Sequence, residues 1–72
     1  MGEKFPVCSA GEVVKVIRQH GFVLSGQRGS HQKWRHPDGR MVIVAHHGSK
    51  NIPIGTLKSI IEGARLTTDD FR

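Results

Sequence analysis

What this 72-residue chain lacks narrows its chemistry first. It has one cysteine, Cys8, so no disulfide can form within it, and a thiolate zinc site is set aside. It has no tyrosine, a single tryptophan and three phenylalanines, which leaves room for one modest core. The first 20 residues hold no apolar run of signal-peptide length, and no stretch is long enough to span a bilayer. A soluble cytoplasmic domain is therefore expected, one unit over residues 1–72. Acidic residues are scarce where basic ones gather: from Lys15 to Lys58 eight Lys and Arg face Asp38 alone. The formal net charge is +5, and such a surface attracts phosphate backbones or acidic proteins.

What is present reads as five elements. Ser9 and Glu12 have the spacing of a capping box, which predicts a helix over residues 10–20. Its apolar face is Val13, Val14, Val16 and Ile17, and Gly21 is its left-handed stop. Residues 22–25 form a short strand, and 26–29 a loop whose two glycines permit positive φ or close approach of a ligand. A second strand covers 31–35. Pro37-Asp38-Gly39-Arg40 is a turn, because Pro presets φ and Asp-Gly supplies the reversal. The third strand, 41–45, is apolar on both sides and is expected at the centre of the sheet. A polar loop over 46–51 leads to Pro53, a good first helical residue, and Ile54, Leu57, Ile60, Ile61 and Ala64 repeat at helical spacing. Residues 67–71 make a final turn that folds Phe71 back as a lid. The order is α-β-β-β-α, an α+β fold with an antiparallel three-stranded sheet and two helices on one face.

The stretch from Gly29 to Arg40 carries the chemistry. Alternation along a strand puts His31, Lys33 and Arg35 on one face and Gln32, Trp34 and His36 on the other. A titratable imidazole sharing a face with two permanent cations suits reaction on a polyanion. A ribonuclease needs a group to take the 2′-hydroxyl proton, donors for charge growing on phosphorus and an acid for the leaving oxygen. His31 with Lys33, Arg35 and Arg28 can supply that set; a strand histidine can equally be a plain surface residue. Arg40, Lys50 and Lys58 are further candidates for phosphate contact; each alone can equally be a solvated surface charge, so only the cluster is informative. Trp34 is expected in the core rather than under a base. His36 is expected to hold the turn. The His46–His47 pair is no metal site, since adjacent strand residues point apart and no acidic cluster adjoins.

Five short motifs recur in order: Gly21-Phe22, Gly29-Ser30-His31, His36-Pro37-Asp38-Gly39-Arg40, Val44-Ala45-His46 and Gly55-Thr56-Leu57-Lys58-Ser59-Ile60. In these the chain resembles the HicA toxins, the YcfA-like mRNA interferases of bacterial and archaeal toxin–antitoxin systems. The resemblance runs from Ser9 to Phe71. It implies a double-stranded-RNA-binding-domain-like fold, ribonuclease activity on mRNA, and neutralisation by a HicB antitoxin encoded alongside. The expected function is therefore a metal-independent endoribonuclease toxin with no cofactor and no DNA partner for the toxin alone. The resemblance also implies that the catalytic histidine of Gly-Ser-His is His31. From the residues themselves, Lys33 and Arg35 are expected to orient phosphate, Gly29 and Ser30 to shape the approach, and Arg28, Lys50 and Lys58 to contact RNA. Many members have Pro at Ala45 and Gly at Arg65; both departures touch local backbone. The rival readings are a non-catalytic RNA-binding module of this fold and a degenerate toxin that only binds its antitoxin.

Overall fold

A computed structural model describes residues 5–46 and 50–72. The first four residues of the expected loose start, and His47, Gly48 and Ser49 of the polar loop, lie outside the described residues. Helix α1 spans Ala10–Gln19 and begins with the capping box expected from Ser9 and Glu12. Ser9 N–H donates to Glu12 Oε1 at 2.8 Å and Glu12 N–H donates to Ser9 Oγ at 3.2 Å, which satisfies two helix-terminal donors. The helix closes through Gly21 at φ +96°, with Phe22 N–H donating to Ile17 carbonyl oxygen at 3.0 Å. Only glycine enters that conformation without steric cost.

Three strands follow: β1 Val23–Arg28, β2 His31–Arg35 and β3 Met41–Ala45, all antiparallel, in the order β1-β2-β3. Helix α2, Ile54–Ala64, and a short 3₁₀ turn, Thr68–Phe71, complete the α-β-β-β-α order. Two expectations need correction. Residues 26–28 belong to β1 and do not form a loop; the hairpin turn is only Gly29 and Ser30. Glycine inside a strand reads as a break, yet here Gly26 follows an irregularity at Ser25, where the register against β2 shifts by one residue. Strand β3 lies at the edge and β2 at the centre. Its two apolar sides do not make it central, because Met41 and Ile43 remain 44% and 43% exposed on the face that no helix covers.

The other face holds the core. Val13 and Ile17 of α1, Phe22, Trp34 of β2, Val42 and Val44 of β3, and Leu57, Ile60, Ile61 and Ala64 of α2 are all buried together. Val42, not its neighbour Ile43, supplies the inward side chain. Phe71 is buried as the expected lid, and Cys8 Sγ donates to its carbonyl oxygen at 3.3 Å. Burial raises the Cys8 thiol above its ordinary value, with Glu12 adding to the effect.

At the end of α2, Arg65 stands in the left-handed region at φ 57°, ψ 37°, where the helix closes by Leu66 N–H donating to Ile61 carbonyl oxygen at 3.1 Å. A side chain in that conformation costs about 1–2 kcal/mol. Arg65→Gly is therefore expected to stabilise the domain by about 1 kcal/mol, raising the melting temperature by about 4–8 °C in a domain this small. Thermal unfolding followed by circular dichroism checks it; a lower melting temperature would show that the arginine side chain contributes more than its backbone costs.

Candidate nucleic-acid interface

The open face of the sheet is built by the β1–β2 hairpin. Gly29 at φ +58° followed by Ser30 at negative φ is the pattern of a type II′ turn, whose twist suits a two-residue hairpin. That turn sets Arg28 directly across from His31. Ser30 carbonyl oxygen accepts from His46 N–H at 2.7 Å, which extends the β2–β3 ladder past its last named pair. Gln27 Nε2 donates to Gly29 carbonyl oxygen at 3.0 Å and steadies the turn from inside β1.

Three rows of cross-strand neighbours cover the face: Arg28, His31 and Ala45; Gly26, Lys33 and Ile43; and Val23, Arg35 and Met41. His31, Lys33 and Arg35 are all exposed, as alternation along β2 requires, while Trp34 is buried and Gln32 half-buried on the opposite side. Trp34 Nε1 donates to Gln32 Oε1 at 3.2 Å, so the indole proton is satisfied within the core layer. No outward position among the described residues of the sheet is acidic.

The irregularity at Ser25 decides which way Arg28 faces. Before it Val23 pairs with Arg35; after it Gly26 pairs with Lys33, so the outward parity of β1 changes from odd to even. A one-residue slip sends every later side chain to the other face. Arg28 thereby joins His31 on the open side. Gly26, with no side chain, leaves space next to Lys33, and a Cβ built there would meet nothing within 4 Å. The result is a shallow depression of about 330 Å³ lined by Gly26, Gln27, Arg28, His31 and Lys33. The sequence reading noted Gly26 for close approach; what it missed was the register shift that sets this glycine across from Lys33.

The remaining candidates scatter. Lys50 lies at the Ala45 end of β3, and Lys58 is exposed on α2, in the helical layer on the far side of the sheet. The His46 ring also lies toward that layer, its Nε2 4.0 Å from where a Cβ on Gly11 would stand. His36 holds the turn as expected. Its Nδ1 accepts the Asp38 N–H at 3.1 Å, which requires a ring unprotonated at that nitrogen. The 3.0 Å approach of the same nitrogen to Asp38 Oδ1 becomes an ion pair only on protonation. The His36 ring also meets Phe22 edge-on with centroids 5.2 Å apart.

Arg40 is engaged in the fold and withdrawn from the phosphate-binding set. Its Nε donates to Asp38 Oδ2 at 2.8 Å, its Nη1 to Ala64 carbonyl oxygen at 2.5 Å, and its guanidinium sits 5.1 Å over the Phe22 ring. The side-chain hydrogen bond from Arg40 holds the Asp38 carboxyl below its ordinary value, helped by the Arg40 backbone N–H. Asp70 is lowered likewise by the backbone N–H and hydroxyl of Thr67.

Among the described residues no group of three or more His, Cys, Asp or Glu side chains stands close enough to hold a metal ion. No helix among them is long and apolar enough to cross a membrane. The open face thus gathers an exposed imidazole, Arg28 beside it and Lys33 and Arg35 in the following rows, with no carboxylate among the described residues of the sheet. A family model described as the HicA toxin of bacterial toxin–antitoxin matches residues 10–66, well over half of the chain. No curated protein matches it.

Proposed function

The chain belongs to the HicA toxin family of bacterial toxin–antitoxin systems, and from that premise we propose that it is a metal-independent endoribonuclease acting on mRNA in the cytoplasm, with His31 as its proton-transfer group. The observation that carries this reading is the exposed His31 imidazole sharing one open sheet face with Arg28, Lys33 and Arg35.

The reaction divides among these side chains by what each can do. His31, in its neutral form, takes the proton of a 2′-hydroxyl, and the freed oxygen attacks the adjacent phosphorus. Charge grows on the non-bridging oxygens as the bond to the 5′-oxygen breaks. Arg28 and Lys33, which line the same depression, would stabilise that charge. The leaving 5′-oxygen needs a proton, which the now cationic His31 or a water can return. Arg35, one row further along, holds the next phosphate. Gly29 and Ser30 keep the hairpin tip small, so that the backbone of an RNA strand can approach. No cofactor enters this scheme.

The partner follows from family membership, which implies an antitoxin of the HicB kind. The active face is cationic, so the antitoxin is expected to bring acidic groups to it and to cover His31. Charge complementarity would speed association, while the lifetime of the complex would rest on well-packed contacts.

The test is direct. The purified chain, incubated with single-stranded mRNA and EDTA, is expected to cut it, and induction without the antitoxin is expected to arrest growth. RNA that binds but stays intact would establish the binding-module reading instead. Antitoxin binding with neither RNA binding nor growth arrest would establish the degenerate toxin.

A further inference from the structure

We propose that the free edge of β3 receives an extended, acidic segment of the antitoxin as a fourth strand of the sheet, an inference that rests on the toxin–antitoxin reading above. The argument starts from the phase of the β2–β3 ladder. His36 N–H donates to Arg40 carbonyl oxygen at 2.8 Å and His46 N–H donates to Ser30 carbonyl oxygen at 2.7 Å, which marks both as hydrogen-bonded pairs. Such pairs alternate along an antiparallel ladder. Counting inward through the register, Met41, Ile43 and Ala45 therefore turn their N–H and C=O groups away from β2, toward the free edge. Among the described residues none pairs with Ile43 or Ala45 there.

Edge strands are commonly guarded by a charge, a proline or a bulge. Strand β1, the opposite edge, has its register shift at Ser25. Strand β3, Met-Val-Ile-Val-Ala, has none of these guards. Its register against β2 is unbroken and it carries no charge.

Helix α2 and a hollow at each end of β3 border the edge. Helix α2 comes close beneath β3: a Cβ on Gly63 would stand 3.2 Å from Val42 Cγ1 and 3.5 Å from Met41 carbonyl oxygen. A hollow of about 710 Å³ opens at the Ala45 end, bordered by Lys50, Ile52 and Thr56. Another of about 430 Å³ opens at the Met41 end, bordered by Gly63 and Arg65. Ile43 and Met41 on the open face, and Ile54 on α2, offer exposed apolar contacts to side chains of an added strand.

Charge chooses the occupant. Lys50 and Arg65 stand at the two ends of the edge, and Lys33 and Arg35 lie one strand in from it. The nearby carboxylate of Asp38 is already paired with Arg40. A second copy of this chain, itself at +5, would repel across such a junction. An acidic polypeptide would not. Because Ala45 is the cross-strand neighbour of His31, a strand added to β3 would lie two strand spacings, about 9.6 Å, from the backbone of β2 that bears His31. From there its flanking residues reach His31, so one docking event both anchors the inhibitor and closes the active face.

Amide hydrogen exchange followed by NMR tests this, on full-length His31→Ala protein alone and in complex with the antitoxin encoded beside it. The amides of Ile43 and Ala45 are expected to slow by at least about tenfold in the complex. Ile43→Pro, which removes an N–H that the ladder does not use, is expected to weaken the complex by at least about tenfold while its thermal melt still shows one folded domain. A complex that protects the hairpin amides around position 31 but leaves those of Ile43 and Ala45 exchanging as in the free chain overturns strand addition and leaves the antitoxin reading intact. Protection that appears with RNA, or with the concentrated chain alone, overturns the choice of occupant. Failure of any complex to form overturns both readings together.

Discussion

His31→Ala protein is expected to lose RNA cleavage by about 10²–10⁴-fold, the usual contribution of a positioned acid–base group, while folding and RNA binding stay nearly intact. The structure separates these effects. His31 is exposed, and no hydrogen bond or ion pair among the described residues involves its ring. Surface changes of that kind usually alter stability by less than about 0.5 kcal/mol. Phosphate contacts from Arg28, Lys33 and Arg35 survive the substitution, so affinity should fall little. Growth arrest on induction should disappear with cleavage. A loss of activity under about threefold would exclude proton transfer by His31. Two controls sharpen the reading. His36→Ala removes the acceptor of the Asp38 N–H and an edge contact with Phe22, so it should lower the melting temperature more than the rate. His46→Ala alters a ring turned toward the helical layer and should change neither much.

The second large effect is on the fold. Leu57 is fully buried and Ile60 is 3% exposed, both on the face of α2 that packs against the sheet. Truncating either to alanine costs about 2–5 kcal/mol in lost transfer energy and residual cavity. At about 0.05–0.15 kcal/mol per residue, a domain of this size has a total near 4–11 kcal/mol. One such change therefore removes a large share. Leu57→Ala and Ile60→Ala are expected to melt tens of degrees lower and, toward the lower end of that range, to be largely unfolded. Ile54→Ala, on the same helix but 59% exposed, should melt close to the parent. Near-unchanged melting for both core variants would refute the packing described above.

Much of this molecule was decided locally. The capping box of Ser9 and Glu12, the left-handed stops at Gly21 and Arg65, and the Pro-Asp-Gly reversal each depend on residues within one turn of one another. The inward side of β2 is also local, because alternation alone puts Trp34 opposite His31, Lys33 and Arg35. So the α-β-β-β-α order and the sharing of one face of β2 by His31, Lys33 and Arg35 could be read from residue spacing. Tertiary structure decided what depends on pairing between strands. The register shift at Ser25 is invisible to periodicity, yet it turns Arg28 outward and brings Gly26 to Lys33, which opens the depression beside His31. The edge position of β3 could not come from its composition, since an apolar side may meet either a neighbour or solvent. Nor could the capture of Arg40 by Asp38, Phe22 and the end of α2, which removes one cation from the set available to a phosphate. Local dihedral and capping preferences act within a few residues, whereas register, edges and ion pairing are settled only when distant segments meet.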